Sequence, residues 1–532
     1  MDITKENYYE ELDNIAKNIK DSCFISFDAE FSAILTKESF KYSLFDTNEE
    51  RYNKYKTQIS TMKMMQVGLT MFQYDRELDA YLATGYTFHL CPQLIGTINQ
   101  SLIFQASTLK FLCKHNFDFN KFIYEGLPYL SKSDEALLNR YRIENNLFDY
   151  VSESLEFDEE KQINQCSSEV SKWLSSSIED TMYLDIDNAI CRYLLHLELR
   201  QRYPGILTTD SLGNSKKILI YRDKNVEGAK NAPIAILEDN LIAYLLGFLH
   251  VIKLLETHKK PIVGHNMFLD MLFLHNQFIG PLPDSYTMFK KNINSVFPTI
   301  FDTKYISHAM SKKLTFSESW KSNALQDLYE FFAERKCKKL EYGINIVRLT
   351  TPFDIKQSYH EAGWDAYCSG YCFIRLGHWA ACENRGKSHV IGPREKLAAL
   401  APYCNKVNVI RGGVSYMNFS ENDPPRNRPV LLHVKCLKDT VIDVEKVASL
   451  LGSFGSIDIK PCGKRAALVA TGAQFMVDKI LKTYENNRDY RISKYSVYKH
   501  SVAGRFAIWS GSIVTGGLAL YLIHKKFKSI LL

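Results

Sequence analysis

The chain has 532 residues, 45% of them hydrophobic and 13% aromatic, which excludes a disordered polypeptide and gives room for several domains with sizeable cores. Its 66 Lys and Arg against 60 Asp and Glu leave a net charge of +6, so an anionic partner is permitted without being demanded. The 12 cysteines are scattered without a CxxC pair, which argues against a disulfide ladder or zinc framework and for reduced thiols in a cytosolic setting.

The start, MDITKENYYEELDNIAK, is polar and acidic and lacks the apolar core of a signal peptide. "CFISFD" (23–28) reads as a buried strand, and it runs straight into Asp28 and Glu30 at i and i+2. On a strand that spacing puts both carboxylates on one face, where they need a neutralising cation or mark a strand end reaching solvent. Two more strand-like runs follow, "MQVGLTMFQ" (65–73) and "YTFHLCP" (86–92), and then "SLIFQASTLKFLCKHN" (101–116), whose apolar spacing predicts an amphipathic helix.

From 150 to 235 the composition shifts to an acidic, Ser-rich stretch, a helix around "DNAICRYLLHLELRQRY" and the strand-like "KKILIYRDK", which reads as an insertion into a larger domain. Residues 236–400 return to alternating helix and strand. Within them "PIVGHNMFLDMLFLH" (261–275) is a strand, a turn and a helix carrying Asp270 among apolar neighbours, a costly place for a charge unless it is paired or metal-bound. "SYHEAGWDAYCSGYCF" (358–373) is predicted to carry His360 and Asp365 on one helix. A five-residue separation offsets them by roughly 140°, so they flank a site from two sides or need a bend near Gly363. Asp302, in "IFDTKYISH", is read as structural, because Asp28, Glu30, Asp270 and Asp365 already complete a set for two metals.

A linker (401–429) ending in "FSENDPPRNRP" precedes residues 430–500, where strand, helix, strand, strand, helix and strand follow in the βαββαβ order of an RNA-recognition-type module. The run 506–523, "FAIWSGSIVTGGLALYLI", carries no charge; as a helix it is about 27 Å long, near the thickness of a bilayer core. Arg505 precedes it, His524, Lys525, Lys526 and Lys528 follow, and Trp509 and Tyr521 sit near its ends. It is read as a single-pass C-terminal anchor rather than a buried helix.

The ordered set Asp-x-Glu, Asp, His-x4-Asp resembles the DEDDh exonucleases. The stretches "FDAEFSAI", "QASTLKFLCKHNFDFNKFIYEGLPYL", "VGHNMFLDMLFLHNQFIGPLP", "FPTIFDTKYIS" and "HEAGWDAYCSGYCF" narrow the resemblance to the poly(A)-specific ribonuclease family over residues 20–500. With its apolar end the chain is most similar to the membrane-anchored piRNA 3′-end trimming branch of that family. The resemblance implies an α/β, RNase H-like exonuclease core (1–149 and 236–400) and a 3′→5′ exoribonuclease releasing nucleoside 5′-monophosphates. It implies two Mg²⁺ ions, with Mn²⁺ as an alternative: Asp28 bridging both, Glu30 and Asp365 on the first, Asp270 on the second. His360 is the implied general base, and Phe31, Ser32 and Ile34 are implied to touch the terminal nucleotide.

The insertion falls where the family carries an Arg-x3-His domain, and Arg192 and His196 supply that spacing, the alternative being two surface residues of an amphipathic helix. The strand "KRAALVAT" (464–471) has no aromatic residue, and all five tryptophans lie outside 427–500, so cap recognition is not expected of the RRM-like domain; dimerisation or partner docking is. The implied partners are single-stranded RNA 3′ ends, PIWI-loaded RNA, a Tudor-type adaptor, a membrane and a second copy of the chain. The basic tail and the resemblance favour the mitochondrial outer membrane over the endoplasmic reticulum. A general poly(A) deadenylase and a non-catalytic RNA-binding scaffold are the competing readings.

Overall fold

The computed structural model describes residues 1–34, 42–211, 214–222, 230–312, 320–334, 346–350, 358–385, 391–425, 428–438 and 440–501, with Phe506, Gly517, Leu518 and Leu520. Two compact units are present. One comprises Met1–Glu38, Asn53–Asn408 and Asn418–Asn422, the other Ser39–Tyr52, Val409–Met417 and Asp423–Leu532.

A seven-stranded mixed sheet organises the first unit. Strand β2 (Phe24–Phe31) lies inside it, hydrogen-bonded antiparallel to β3 (Met64–Asp75) and parallel to the strand Ile262–Gly264. Beyond β3 comes β4 (Ala80–His89), whose outer edge pairs in parallel with β1 (Asp2–Ile3) and with Ile346–Leu349. On the other side Ile262–Gly264 pairs in parallel with Ile300–Asp302. An interior strand has both faces covered, which is why Phe24, Ile25, Ser26 and Phe27 are all buried and the run is near-continuously apolar up to its acids.

The helix Ala362–Arg385 lies across the sheet. Its Trp364, Tyr367, Cys368, Phe373 and Trp379 join Phe24, Phe72 and Tyr81 in an aromatic-rich core of this unit. Two glycines permit the close approach: a Cβ on Gly370 would meet the Phe72 ring at 2.1 Å, and one on Gly68 would meet the Ala362 carbonyl oxygen at 1.9 Å. The helix predicted over 101–116 is shorter, Ala106–Lys114. Ahead of it the Ile103 amide donates to the Thr61 carbonyl and the Gln105 amide to the Ser32 carbonyl, so these residues are extended against the loop after β2.

The inserted segment contains helices Phe157–Ser176 and Ala189–Arg202 and a three-stranded antiparallel sheet of Thr181–Asp185, Asn214–Tyr221 and Leu207–Ser211. Neither member of its Arg-x3-His pair is a free surface group. His196 is fully buried with Nδ1 against Thr208 Oγ1 (2.9 Å) and Nε2 against Asp210 (3.2 Å), and Arg192 donates to the carbonyls of Ile186 and Asp187.

In the second unit the strands Leu432–Cys436, Ile457–Pro461, Ala466–Thr471 and Tyr490–Lys494 form an antiparallel sheet with helices Val444–Gly452 and Gln474–Thr483. The chain order is βαββαβ. Leu432, Val434, Val447, Leu451, Val469, Val477 and Ile480 form its core. On this module the rings near the central strand come from His433, stacked on His500 at 4.2 Å, and not from the Ala466–Thr471 strand. Residues 42–52 belong to this unit: the Leu44 amide donates to Asp458 (2.6 Å) and Arg51 to the Arg411 carbonyl (2.9 Å). The segment 506–523 lies outside the described residues except for Phe506, Gly517, Leu518 and Leu520. Among the described residues no helix is long and apolar enough to cross a membrane.

Candidate active site

Asp28 and Glu30 stand two residues apart on β2, opposite Gly68 and Gln66 of β3. A register irregularity falls between Glu30 and Phe31: Glu30 pairs with Gln66 and Phe31 with Met64, so Met65 is passed over just past the acids. Gln277 binds the backbone there: its side chain accepts from the Met64 amide (2.9 Å) and donates to the Met64 carbonyl (3.2 Å). Gln277 sits in a single π-turn, His275–Ile279, that continues the helix Phe268–Leu274, and this helix carries buried Asp270 in its first turn.

Asp365 arrives on the fourth residue of the Ala362–Arg385 helix. Ligand oxygens of Asp28, Glu30 and Asp365 all lie within 4.8 Å of one another. Burial first, and then the charges of Asp365 and Asp270, push the carboxyls of Asp28 and Glu30 well above the usual carboxylate range. Asp270 and Asp365 are raised as well, chiefly by burial. Four acids so crowded and desolvated hold their charge poorly by themselves, which is the electrostatic signature of a cation site. Asp365 offers a sharper test: its Oδ1 is buried with no hydrogen-bond partner among the described residues, while Oδ2 accepts the His360 amide at 3.1 Å. A buried carboxylate with an unpartnered oxygen, grouped with two further carboxylates, fits a hard divalent ion such as Mg²⁺ or Mn²⁺.

His360 is placed differently from the sequence expectation. It precedes the helix at a left-handed backbone position (φ 69°), so it and Asp365 do not share a helix face and no bend at Gly363 is needed. The turn brings both to the same place, because the His360 amide bonds the Asp365 carboxylate. The imidazole packs edge-on to His115 (4.2 Å) and Phe111 (4.8 Å). Partial withdrawal from water, and then the charges of His115 and Lys114, lower its pKa.

Phe31 packs on Phe273 at 4.4 Å, and Ile34 is partly exposed with its amide on Gln105 (3.3 Å). Ser32 departs from the expected substrate contact. It is fully buried and its Oγ accepts the Lys63 amide (3.0 Å), so it braces the loop. Asp302 is buried too, and it accepts the amides of Asn266, Met267, Lys304, Tyr305 and Asn408. Five donors saturate it, which agrees with a structural reading. Two residues near the site went unread in the sequence. His115 ends a helix with no signal of where that end points. Glu361 was legible only as an acid just ahead of an apolar helical run, the place for an N-cap.

Carboxylates converging on β2 of an RNase H-like sheet define the class as a nuclease. Residues 3–373 match the model of the CAF1 family ribonucleases, and the chain belongs to that family. It is a 3′→5′ exoribonuclease. The chain is 29% identical over 511 residues to the mouse poly(A)-specific ribonuclease PNLDC1, spanning 94% of this chain and 95% of that one. It is 27% identical over 525 residues to the human poly(A)-specific ribonuclease PARN, spanning 94% of this chain and 80% of the relative. Among solved structures, S. pombe Pop2p in its Mg²⁺- and Mn²⁺-bound form aligns over 76% of this chain and 97% of its own, at 14% identity and a TM-score of 0.34.

Proposed function

We propose that the chain is a divalent-metal-dependent trimming exonuclease that shortens small-RNA precursors, of the piRNA kind, from free 3′ ends at a membrane. The observation that carries the metal-dependent chemistry is the carboxylate cluster, together with the unpartnered oxygen of Asp365. Asp28, Glu30, Asp270 and Asp365 are the residues that hold cations, two Mg²⁺ or Mn²⁺ ions in the reading proposed. Bound there, divalent ions supply charge stabilisation at phosphorus and acidify the attacking water. His360 accepts the proton of that water, for which a lowered pKa keeps its imidazole neutral near pH 7. Phe31, the last residue of β2, and Ile34, three residues beyond it, face the terminal nucleotide in this reading, and Ser32 holds the loop that carries Ile34.

The small-RNA and membrane parts rest on sequence. The uncharged segment 506–523 flanked by basic residues supports a single-pass anchor, and the tail "HKKFKSILL" supports the mitochondrial outer membrane, with the endoplasmic reticulum as the alternative. In this reading the nuclease faces the cytosol, where PIWI-loaded RNA and a membrane-bound Tudor-type adaptor are the proposed partners, the enzyme acting as a homodimer. The absence of aromatic residues from 464–471 and of tryptophan from 427–500 supports indifference to a 5′ cap. The relatives are named poly(A)-specific ribonucleases, which favours a second reading, a poly(A) deadenylase.

One experiment separates the two. Mixed-sequence RNA with a free 3′ end should be shortened, the same RNA with a 2′-O-methylated 3′ end should resist, and capping should change little. A displacement of the scissile phosphate by about 1 Å is enough for a loss on the order of a hundredfold. A strong preference for capped poly(A) over every other RNA overturns trimming and installs deadenylation.

A further inference from the structure

Glu361 is not one of the grouped carboxylates, yet its bonds hold the first turn of the helix that carries Asp365. Its Oε1 accepts the Gly363 amide (3.3 Å) and the Thr87 hydroxyl (2.8 Å), and its Oε2 accepts the Trp364 amide (3.0 Å). The Glu361 carbonyl accepts the Asp365 amide (2.9 Å), and the remaining first-turn amide, of Ala362, is held by buried Gln66 Oε1 (2.9 Å). All four amides that open the Ala362–Arg385 helix are therefore satisfied without the Asp365 carboxylate. That matters because an aspartate in a first turn is itself a good acceptor for orphan amides.

We propose that Glu361, anchored by Thr87 on β4, is the positioning residue that keeps Asp365 Oδ1 free of the helix amides and holds the Asp365 carboxylate beside Asp28 and Glu30. The sheet enforces the placement. Thr87 pairs with Gly68, which pairs with Asp28, so the cap is anchored two strands over from Asp28 in the same row of the sheet. A Cβ on Gly363 would meet Thr87 Oγ1 at 2.1 Å, which shows how closely the cap is seated. Both carboxylate oxygens of Glu361 accept hydrogen bonds here, a pair of acceptors that glutamine, with one oxygen and one NH2, cannot reproduce.

The inference rests on the divalent-metal reading above, and the test separates the two. Mn²⁺ binding to the full chain without RNA is measured by calorimetry for wild type, Glu361→Ala, Glu361→Gln and Thr87→Val, alongside melting temperature and the Mn²⁺ concentration giving half-maximal cleavage. Loss of a residue that orients a ligand typically weakens metal affinity by about tenfold to a hundredfold. Glu361→Ala is expected in that range, Thr87→Val and Glu361→Gln at several-fold, with cleavage largely restored at saturating Mn²⁺. Mn²⁺ affinities within twofold of wild type in both Glu361→Ala and Thr87→Val, with only the melting temperature lowered, overturn the proposal and leave Glu361 a plain helix cap. Should Glu361→Ala not fold, the Thr87→Val affinity decides alone. A wild type that binds no Mn²⁺ overturns the metal reading itself.

Discussion

Replacing Gly68 by alanine puts a methyl group where the first turn of the Ala362–Arg385 helix already lies. The new Cβ would stand 1.9 Å from the Ala362 carbonyl oxygen, 2.1 Å from its carbon and 2.5 Å from the Gly363 nitrogen. All three are backbone atoms, so no side chain can swing aside, and helix start or strand has to retreat by about 1 Å or more. Either retreat separates Asp365 and His360 from Asp28, which is paired with Gly68. Overpacking of this kind costs about 1–3 kcal/mol of stability. The rate should suffer more, because a misplacement of about 1 Å costs on the order of a hundredfold. Single-turnover cleavage of a labelled RNA at saturating Mg²⁺, beside thermal melts, reads both quantities. Gly205→Ala is the control, since a Cβ there meets nothing within 4 Å. Gly68→Ala with a rate within twofold of wild type would show that the helix start does not set the geometry of the site.

Three further outcomes are expected. At saturating metal the rate should climb with pH along a limb whose midpoint lies below the ordinary imidazole value of 6.5, because the pKa of His360 is lowered and the base works neutral; His360→Ala should lose most activity and this limb of the profile. A carboxyl whose pKa is raised on folding contributes stability at low pH and loses it as pH rises through the folded value, so metal-free Asp28→Asn should melt above metal-free wild type at pH 8, with the gap closing toward pH 5 and Mg²⁺ stabilising wild type more than the variant. Deleting 506–532 should move the protein from the membrane to the soluble fraction with its nuclease activity kept; persistence on membranes through high salt and carbonate contradicts the anchor.

Much of this was legible in the chain. β2 announces itself as an apolar run that ends in two acids, because an interior strand has no solvent face to alternate with. The pairing of Asp28 with Glu30 follows from the two-residue period of a strand. What strand and helix periodicity could not show is how separate segments converge. The HEAGWD stretch reads as one helix by pattern, yet Glu361 caps it and the chain turns at His360 into a left-handed conformation that no periodicity encodes. Ser32 sits beside two substrate-facing candidates in sequence but is fully buried, a consequence of the Lys63 amide reaching its hydroxyl from the start of β3. His196 looked like half of a surface motif and is instead a buried hydrogen-bonding hub, since Thr208 and Asp210 come from a strand distant enough in sequence to leave no local trace.

The central claim is that the carboxylate cluster drives metal-dependent shortening of RNA from its 3′ end. A 5′-labelled, mixed-sequence RNA incubated with wild type or Asp28→Ala, in Mg²⁺ or in EDTA, tests it on one gel. Wild type in Mg²⁺ should give a ladder descending one nucleotide at a time, with nucleoside 5′-monophosphates as the released product, and the other three lanes should keep the full-length RNA. Equal ladders from wild type and Asp28→Ala, or a ladder from wild type in EDTA, would contradict the account.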